Sequence, residues 1–190
     1  MLPMRDFTTT SMSVTPGHPD KLCDRVSDAI VDLFRRLDPG ARVEAECAVA
    51  AGILFVACYT ESPERPDLGA LAREVVRETG YRDADFDADQ VPVMVSITDL
   101  GKAGATAAEL PPERSVATRN VTTFGYAVAS RPERMPLPVV LAHDLARGLD
   151  GLGLAARDRD RLGPDALVQV TVRYEDRRAA VLEAVTVLAH

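Results

Sequence analysis

The chain has 190 residues and 46% of them are hydrophobic, which is enough to bury a substantial core in one large domain or two small ones. Its 29 acidic residues outnumber 22 basic ones and give a formal net charge of −7, which argues against nucleic-acid or anionic-membrane partners. No apolar run is long enough to span a bilayer and the N-terminus lacks a secretory signal pattern, so we expect a cytoplasmic protein. Cys23, Cys47 and Cys58 form no CxxC pair, lie in apolar segments and are expected to be buried free thiols.

The first half of the chain predicts two helices and three strands. Pro19 suits the first turn of a helix, apolar residues follow at helical spacing, and Asp38-Pro39-Gly40 ends the pattern. Ala51-Gly52 marks the bend of a hairpin. The predicted elements are a helix at 19–37, strands at 42–50 and 52–60, a helix at about 67–79 and a strand at 91–98. The polar stretch 99–118 is expected to form a boundary or a lid.

The second half predicts a strand at 121–129, a helix at 136–149 and strands at 166–174 and 179–188. Alternating apolar and polar residues in 166–174 indicate an antiparallel strand that is buried on one face. His143 falls inside the helix, where we expect it to pack. A helix followed by a hairpin therefore occurs twice. We predict an α+β fold of two related units, 1–110 and 111–190, each with helices packed on one face of a mainly antiparallel sheet.

The pentapeptide Gly17-His18-Pro19-Asp20-Lys21 concentrates chemical groups at the start of the first helix. A helix N-terminus presents free backbone N–H groups and partial positive charge, so it favours anions. The imidazole of His18 could act as a general acid, Asp20 could bind Mg²⁺, and Lys21 could contact phosphate. By themselves the same residues also fit a capped helix with solvated charges.

Residues 11–30, which read Ser-Met-Ser-Val-Thr-Pro-Gly-His-Pro-Asp-Lys-Leu-Cys-Asp-Arg-Val-Ser-Asp-Ala-Ile, resemble the N-terminal signature of S-adenosylmethionine (SAM) synthetases. Further blocks resemble that family in order and spacing: Asp38–Val43, Glu46, Gly52, Phe124–Ala127, Met135-Pro136, Leu141–His143, Pro164–Ala166 and Gln169–Val172. The likeness covers nearly all 190 residues, and the family's third unit has no counterpart among them. The resemblance implies an α+β fold of the SAM synthetase type.

In that family the sulfur of methionine attacks C5′ of ATP, triphosphate leaves, and the triphosphate is then cleaved. The resemblance implies that His18 is the catalytic histidine near the leaving group, with Lys21 beside it. It also implies Mg²⁺ as a cofactor, with K⁺ as a further candidate. The residues it assigns to these ions and to the nucleotide are Asp20 for Mg²⁺, Glu46 for K⁺, Asp165 for the ribose, and Phe124 and Lys102 for nucleotide binding.

Several departures from the family pattern argue against autonomous SAM synthesis. The glutamate that contacts methionine aligns with Tyr59, and the lysine expected two positions after Asp165 is Leu167. Pro16 replaces an acidic residue, and residues 119–123 stand where the family has a Gly-Ala-Gly-Asp-Gln-Gly loop. A leaving triphosphate depends on preorganised donors, and the loss of one can cost roughly 3 kcal/mol or more.

Three functions stay open. The first is a SAM synthetase-like protein that binds an adenosyl nucleotide, either ATP with methionine or SAM, at an intersubunit site. Its partner would be a second copy or a longer family member, with no nucleic acid and no membrane. The second is a repurposed enzyme that acts on SAM or a related adenosyl compound. The third is a non-catalytic subunit of a SAM synthetase-like complex.

Overall fold

A computed structural model describes residues 6–83, 86–101, 120–129, 131–155 and 163–189. The elements in chain order are β1 (Phe7–Val14), α1 (Pro19–Leu37), β2 (Val43–Ala50), β3 (Ile53–Thr60), α2 (Leu68–Thr79), β4 (Arg82–Asp83), β5 (Phe86–Asp87), β6 (Val93–Asp99), α3 (Leu137–Ala155), β7 (Ala166–Glu175) and β8 (Arg178–Ala189). Two compact units result: the first unit is Met1–Lys21, Thr79–Asp83 and Gly125–His190, and the second unit is Leu22–Glu78 and Ala84–Phe124. The predicted α+β fold is confirmed, whereas the boundary at residue 110 stays a prediction.

The first unit is built on a three-stranded antiparallel sheet in the order β1-β7-β8. β1 runs from Phe7, opposite Tyr174, to Val14, opposite Leu167. Alternate residues of β7 are buried, as their apolar and polar alternation predicts, because only one face of the sheet is covered. Helix α3 covers that face, and the buried residues of the resulting core are Ala142, Ala146, Val168, Val170 and Val172.

The second unit contains a mixed sheet in the order β2-β3-β6, in which β2 is antiparallel and β6 parallel to β3. The β2–β3 hairpin turns through Ala51 and Gly52, whose φ angles of 50° and 72° suit a tight two-residue hairpin loop. Helix α1 buries residues spaced four apart, and a hydrogen bond between Ser27 and Cys47 joins it to β2. The buried residues of the two helices are Leu22, Val26, Ile30 and Phe34 in α1, and Leu68, Ala72, Val75 and Val76 in α2.

The strand predicted at 121–129 is wrong. Residues 120–129 form no strand, and the side chains of Val121, Phe124 and Tyr126 are 87%, 96% and 77% exposed. An apolar segment becomes a strand only when a neighbouring backbone pairs with it. Here the N–H of Val128 instead donates to the carbonyl of Arg134, which is a local loop contact.

Two further differences concern β1 and α3. The polar sequence of β1 gave no strand prediction, yet β1 supplies an edge of the first unit's sheet. Helix α3 extends to Ala155, beyond the predicted end at residue 149. Among the helices in the described part of the chain, none is long and apolar enough to cross a membrane.

Candidate functional site

The turn between β1 and α1 carries His18 and caps the helix. The N–H of His18 donates to the carbonyl of Thr15 at 3.1 Å, and α1 begins at Pro19, whose missing N–H costs nothing in a first turn. The N–H of Asp20 donates to Nδ1 of His18 at 3.2 Å. Since Nδ1 accepts this bond, Nε2 is the ring nitrogen that can donate to a ligand in the neutral imidazole.

The segment around Asp165 lies against this turn. Beyond the last β1–β7 pair, the N–H of Thr15 donates to the carbonyl of Ala166 at 2.9 Å. The hydroxyl of Thr15 donates to the carbonyl of Pro164 at 2.7 Å. Asp165 therefore sits between two residues that are both hydrogen-bonded to Thr15.

Gly17 brings the two backbones into direct contact. A Cβ added at Gly17 would lie 2.5 Å from the carbonyl carbon and from Cβ of Pro164, so no side chain fits. On the other side of the turn, the hydroxyl of Tyr81 donates to the carbonyl of Gly17 at 2.5 Å. Sequence reasoning missed both Thr15 and Tyr81, and the only signal was their proximity to recognisable elements, the pentapeptide and the end of α2.

The polar groups of the site differ in exposure. The side chain of His18 is 23% exposed and that of Asp20 is 91% exposed, while Nδ1 of His18 lies 3.8 Å from Oδ2 of Asp20. Lys21 is exposed and Asp165 is half-buried. Because these groups remain reachable from solvent, an anionic ligand could approach the imidazole, the ammonium and the helix N-terminus together.

The donor set near His18 fits Mg²⁺ only in combination with a phosphate ligand. Asp20 supplies one exposed carboxylate, and Mg²⁺ is usually held by one or two carboxylates with substrate phosphates and water completing its shell. Within the described ranges, no group of three His, Cys, Asp or Glu side chains forms a cage for a metal ion. The residues present therefore suit an ion that arrives with a nucleotide.

The other predicted site residues lie elsewhere in the chain. Glu46 is an exposed residue of β2 opposite Ala57, and it offers one carboxylate. Phe124 is 96% exposed, and like Glu46 it belongs to the second unit. Lys102 lies outside the described residues.

The packing role expected for His143 is wrong. Its side chain is exposed, and its Nδ1 lies 2.8 Å from the hydroxyl of Ser13 in β1. The reason is its position on α3, because the buried side of that helix is lined by Ala142 and Ala146.

The thiols are free, as predicted, but only Cys58 is buried, whereas Cys23 and Cys47 are half-buried. Cys47 and Cys58 are poorly suited to act as nucleophiles. Burial raises the pKa of Cys47, against an opposing hydrogen bond from Ser27. Burial also raises the pKa of Cys58, against the nearby charge of Arg65. Because the thiolate is the reactive form, both side chains are expected to be inert at neutral pH.

Two family domains match the chain. The S-adenosylmethionine synthetase N-terminal domain matches residues 6–101, and the S-adenosylmethionine synthetase central domain matches residues 114–190. The chain is 37% identical over 194 residues to the S-adenosylmethionine synthase of Prochlorococcus marinus (strain MIT 9211), which covers 97% of this chain and 47% of that protein. Identity is also 37% to the S-adenosylmethionine synthases of Brachyspira hyodysenteriae (98% of this chain, 50% of that protein) and Sorangium cellulosum (97% and 44%).

The chain thus spans about half the length of these relatives. The residues matched by the two domains include the His18 turn, α1, both three-stranded sheets and the Asp165 segment. On this extent of similarity, the chain belongs to the S-adenosylmethionine synthetase family.

Proposed function

We propose that this chain binds an adenosyl nucleotide, either ATP together with methionine or SAM, at the site around His18 and Asp165. The contact between the His18 turn and the Asp165 segment carries the proposal. It is supported by the Thr15–Pro164 hydrogen bond, which joins residues 149 apart in sequence. A hydrogen-bond donor for phosphate and a carboxylate for ribose thereby lie on adjoining backbone.

The chemistry follows from the groups themselves. Nε2–H of His18 donates to the oxygen of the leaving triphosphate as negative charge develops there, and Lys21 adds a positive charge. The carboxylate of Asp165 accepts charge-assisted hydrogen bonds from the ribose hydroxyls and orients C5′. Mg²⁺ held by Asp20 would neutralise part of the phosphate charge, and Glu46 would supply a single carboxylate towards K⁺.

Isothermal titration calorimetry of the full chain with ATP and MgCl₂, with SAM and with adenosine tests the proposal. Binding should weaken about tenfold in Asp165→Asn, because a charged acceptor for the ribose is replaced by a neutral one. Asp32→Asn makes the same change on an exposed position of α1 and should leave the affinity unaltered. Absence of binding by all three ligands, or equal losses in the two variants, would refute the proposal.

A turnover assay addresses the reaction separately from binding. The full chain is incubated with methionine, ATP, Mg²⁺ and K⁺, alone and with a longer family member, and SAM and phosphate are quantified. His18→Asn keeps an oxygen near the position of Nδ1, which can still accept from the N–H of Asp20, but it removes Nε2. We expect nucleotide binding to persist in this variant while turnover falls about 10²-fold or more. No product from the wild-type chain, alone or in the mixture, would exclude the SAM-forming reaction.

Leu167 favours a second candidate, a repurposed enzyme that acts on SAM or a related adenosyl compound. Its half-buried side chain follows Asp165 on β7 and pairs with Val14 of β1, so apolar atoms occupy the place where the family carries a lysine. Such surroundings suit a ligand with less negative charge than ATP. SAM binding at least as tightly as ATP would support this candidate, and tighter binding of ATP would contradict it.

We also propose assembly with a second copy or with a longer family member. Each unit leaves apolar side chains exposed on its sheet, which is typical of surfaces that are covered by a partner. They include Leu182, Val185, Val187 and Leu188 on β8 in the first unit, and Phe55, Tyr59 and Met94 in the second. Sedimentation velocity should detect a dimer or a mixed complex, and a monomer under all conditions would refute this.

If His18→Ala leaves every activity of such a complex unchanged, the chain is a non-catalytic subunit.

A further inference from the structure

We infer that Thr15 is a positioning residue that holds His18 and Asp165 in one site, and this inference rests on the proposed function. The side chain of Thr15 is only 3% exposed, so it acts through its neighbours and not by touching a ligand. Its contacts run to the backbone on both sides of the site. We infer the positioning role from the number of backbone groups on both sides that hydrogen-bond to this single residue.

The hydroxyl of Thr15 binds both peptide groups that flank Asp165. It donates to the carbonyl of Pro164 at 2.7 Å and accepts from the N–H of Ala166 at 2.8 Å. A second carbonyl, that of Ala166, lies 3.3 Å from the hydroxyl oxygen. Because a hydroxyl has one proton to donate, the closer carbonyl of Pro164 takes it. The peptide planes before and after Asp165 are thus fixed by one side chain.

The backbone of Thr15 completes the connection to His18. Its carbonyl accepts from the N–H of His18 at 3.1 Å, and its N–H donates to the carbonyl of Ala166 at 2.9 Å. Any shift of Thr15 is therefore transmitted to His18 through one hydrogen bond and to the peptides around Asp165 through several. Positions of catalytic and binding groups need to be held to within about 0.5 Å to remain productive.

Tyr81, in the segment between α2 and β4, supports the same turn. Its hydroxyl donates to the carbonyl of Gly17 at 2.5 Å, on the residue between Thr15 and His18 that contacts Pro164. With Thr15 on one side and Tyr81 on the other, the turn has little freedom to move away from the Asp165 segment. We therefore expect Thr15 to set the relative position of the two functional side chains, with Tyr81 limiting the motion of the turn.

The experiment compares Thr15→Val, Thr15→Ser and Thr10→Val in the full chain. Valine removes the hydroxyl at constant shape, whereas serine keeps the hydroxyl and removes the methyl group. Thr10→Val is the matched control. It also removes a hydroxyl that is bonded to β7, through Thr171 at 2.9 Å, but from an exposed position on β1 away from Asp165. The readouts are affinity for ATP and SAM by calorimetry, and amide hydrogen exchange of His18, Ala166 and the mid-strand Val170 by NMR.

We expect Thr15→Val to weaken binding about tenfold or more and to accelerate exchange at Ala166 and His18 by a similar factor, because Ala166 loses its acceptor. Thr15→Ser should restore affinity to within about threefold of wild type, since the hydroxyl remains. Thr10→Val should change neither readout, and exchange at Val170 should stay at the wild-type rate throughout.

Wild-type affinity and wild-type exchange in Thr15→Val would overturn the inference. It would also be overturned if Thr15→Ser is as impaired as Thr15→Val, because the methyl group rather than the hydroxyl would then matter. If the wild-type chain binds neither ATP nor SAM, the proposed function fails, and the exchange data decide the positioning role by themselves. Faster exchange confined to His18 and Ala166 in Thr15→Val, reversed in Thr15→Ser, then supports it, and unchanged exchange refutes it.

Discussion

The contact between Gly17 and Pro164 predicts that Gly17→Ala separates the two halves of the site. The added methyl group would lie 2.5 Å from the carbonyl carbon and from Cβ of Pro164, and neither atom belongs to the end of a flexible side chain. The φ angle of Gly17 lies outside the left-handed region, so alanine is excluded by space alone and not by backbone strain. The backbone must therefore move to admit the methyl group.

The cost can be estimated from the groups that move. Overpacking by a methyl group costs about 1–3 kcal/mol. A shift of the turn also breaks the bonds from the Thr15 hydroxyl to Pro164 and from the Ala166 N–H to that hydroxyl, at about 1 kcal/mol each. Replacing glycine by alanine lowers the entropy of the unfolded chain and returns about 0.4–1 kcal/mol. The net expectation is a loss of about 2–5 kcal/mol in the free energy of unfolding.

Urea-induced unfolding followed by circular dichroism measures this loss, with Gly148→Ala as the matched control. Gly148 lies in α3, and no heavy atom of the described residues comes within 4 Å of a Cβ built there. The same methyl group in a helix interior should therefore stabilise the chain by about 0.5–1 kcal/mol. An unfolding free energy for Gly17→Ala within about 0.5 kcal/mol of wild type would refute the close packing of the turn against Pro164.

Individual side chains support three more predictions. The N–H of Gly101 is the largest cause of the lowered pKa of Asp99, so Asp99 adds stability above its ordinary pKa of 3.8. The unfolding free energy of wild type minus that of Asp99→Asn should shrink as the pH falls below that value, and a constant difference from pH 7 to acid would contradict this. Burial of Cys58 predicts that iodoacetamide at pH 8 leaves it unmodified until urea unfolds the chain, and peptide mass spectrometry should find no early label. Leu167→Lys places an ammonium group beside Asp165 and should tighten ATP binding several-fold at low salt. Leu182→Lys adds the same charge at an exposed position of β8 and should leave ATP binding unchanged. Equal affinities of the two variants would contradict the position proposed for the nucleotide beside Asp165.

Elements whose stabilising contacts are periodic in sequence could be predicted closely. Helix α1 covers 19–37 as expected, because its buried residues recur every four positions and Pro19 starts it. The β2–β3 bend lies at Ala51 and Gly52 as expected, because a two-residue loop needs positive φ at both positions. Local patterns suffice where the partner of a residue lies within a few positions along the chain.

β1 could not be predicted in this way, because its stability depends on β7, which lies far along the chain. Its run of threonine and serine has a strand-like composition but little apolar content. It is stabilised as a strand only by pairing with β7 and by packing under α3. Residues 121–129 are the reverse case. They have the apolar content of a strand, but no backbone among the described residues pairs with them.

The same distinction separates the predicted from the missed residues of the site. His18, Asp20 and Lys21 are close together in sequence, so a shared role could be proposed for them from residue type and from the start of a helix. Thr15 and Tyr81 bear common hydroxyl groups, and their roles depend on which distant backbone atoms they meet.

The register of β1 on β7 determines which side chains can act together. With Val14 opposite Leu167, Thr15 just beyond β1 faces Ala166 at the start of β7, and Asp165 falls beside the turn that carries His18. A shift of β1 by one residue would turn its side chains to the opposite face of the sheet and would remove the Thr15 hydroxyl from the peptide groups around Asp165. The strand least evident in the sequence therefore controls the geometry of the site, and variants in β1 that alter its register should affect ligand binding more than equally destabilising variants in α2.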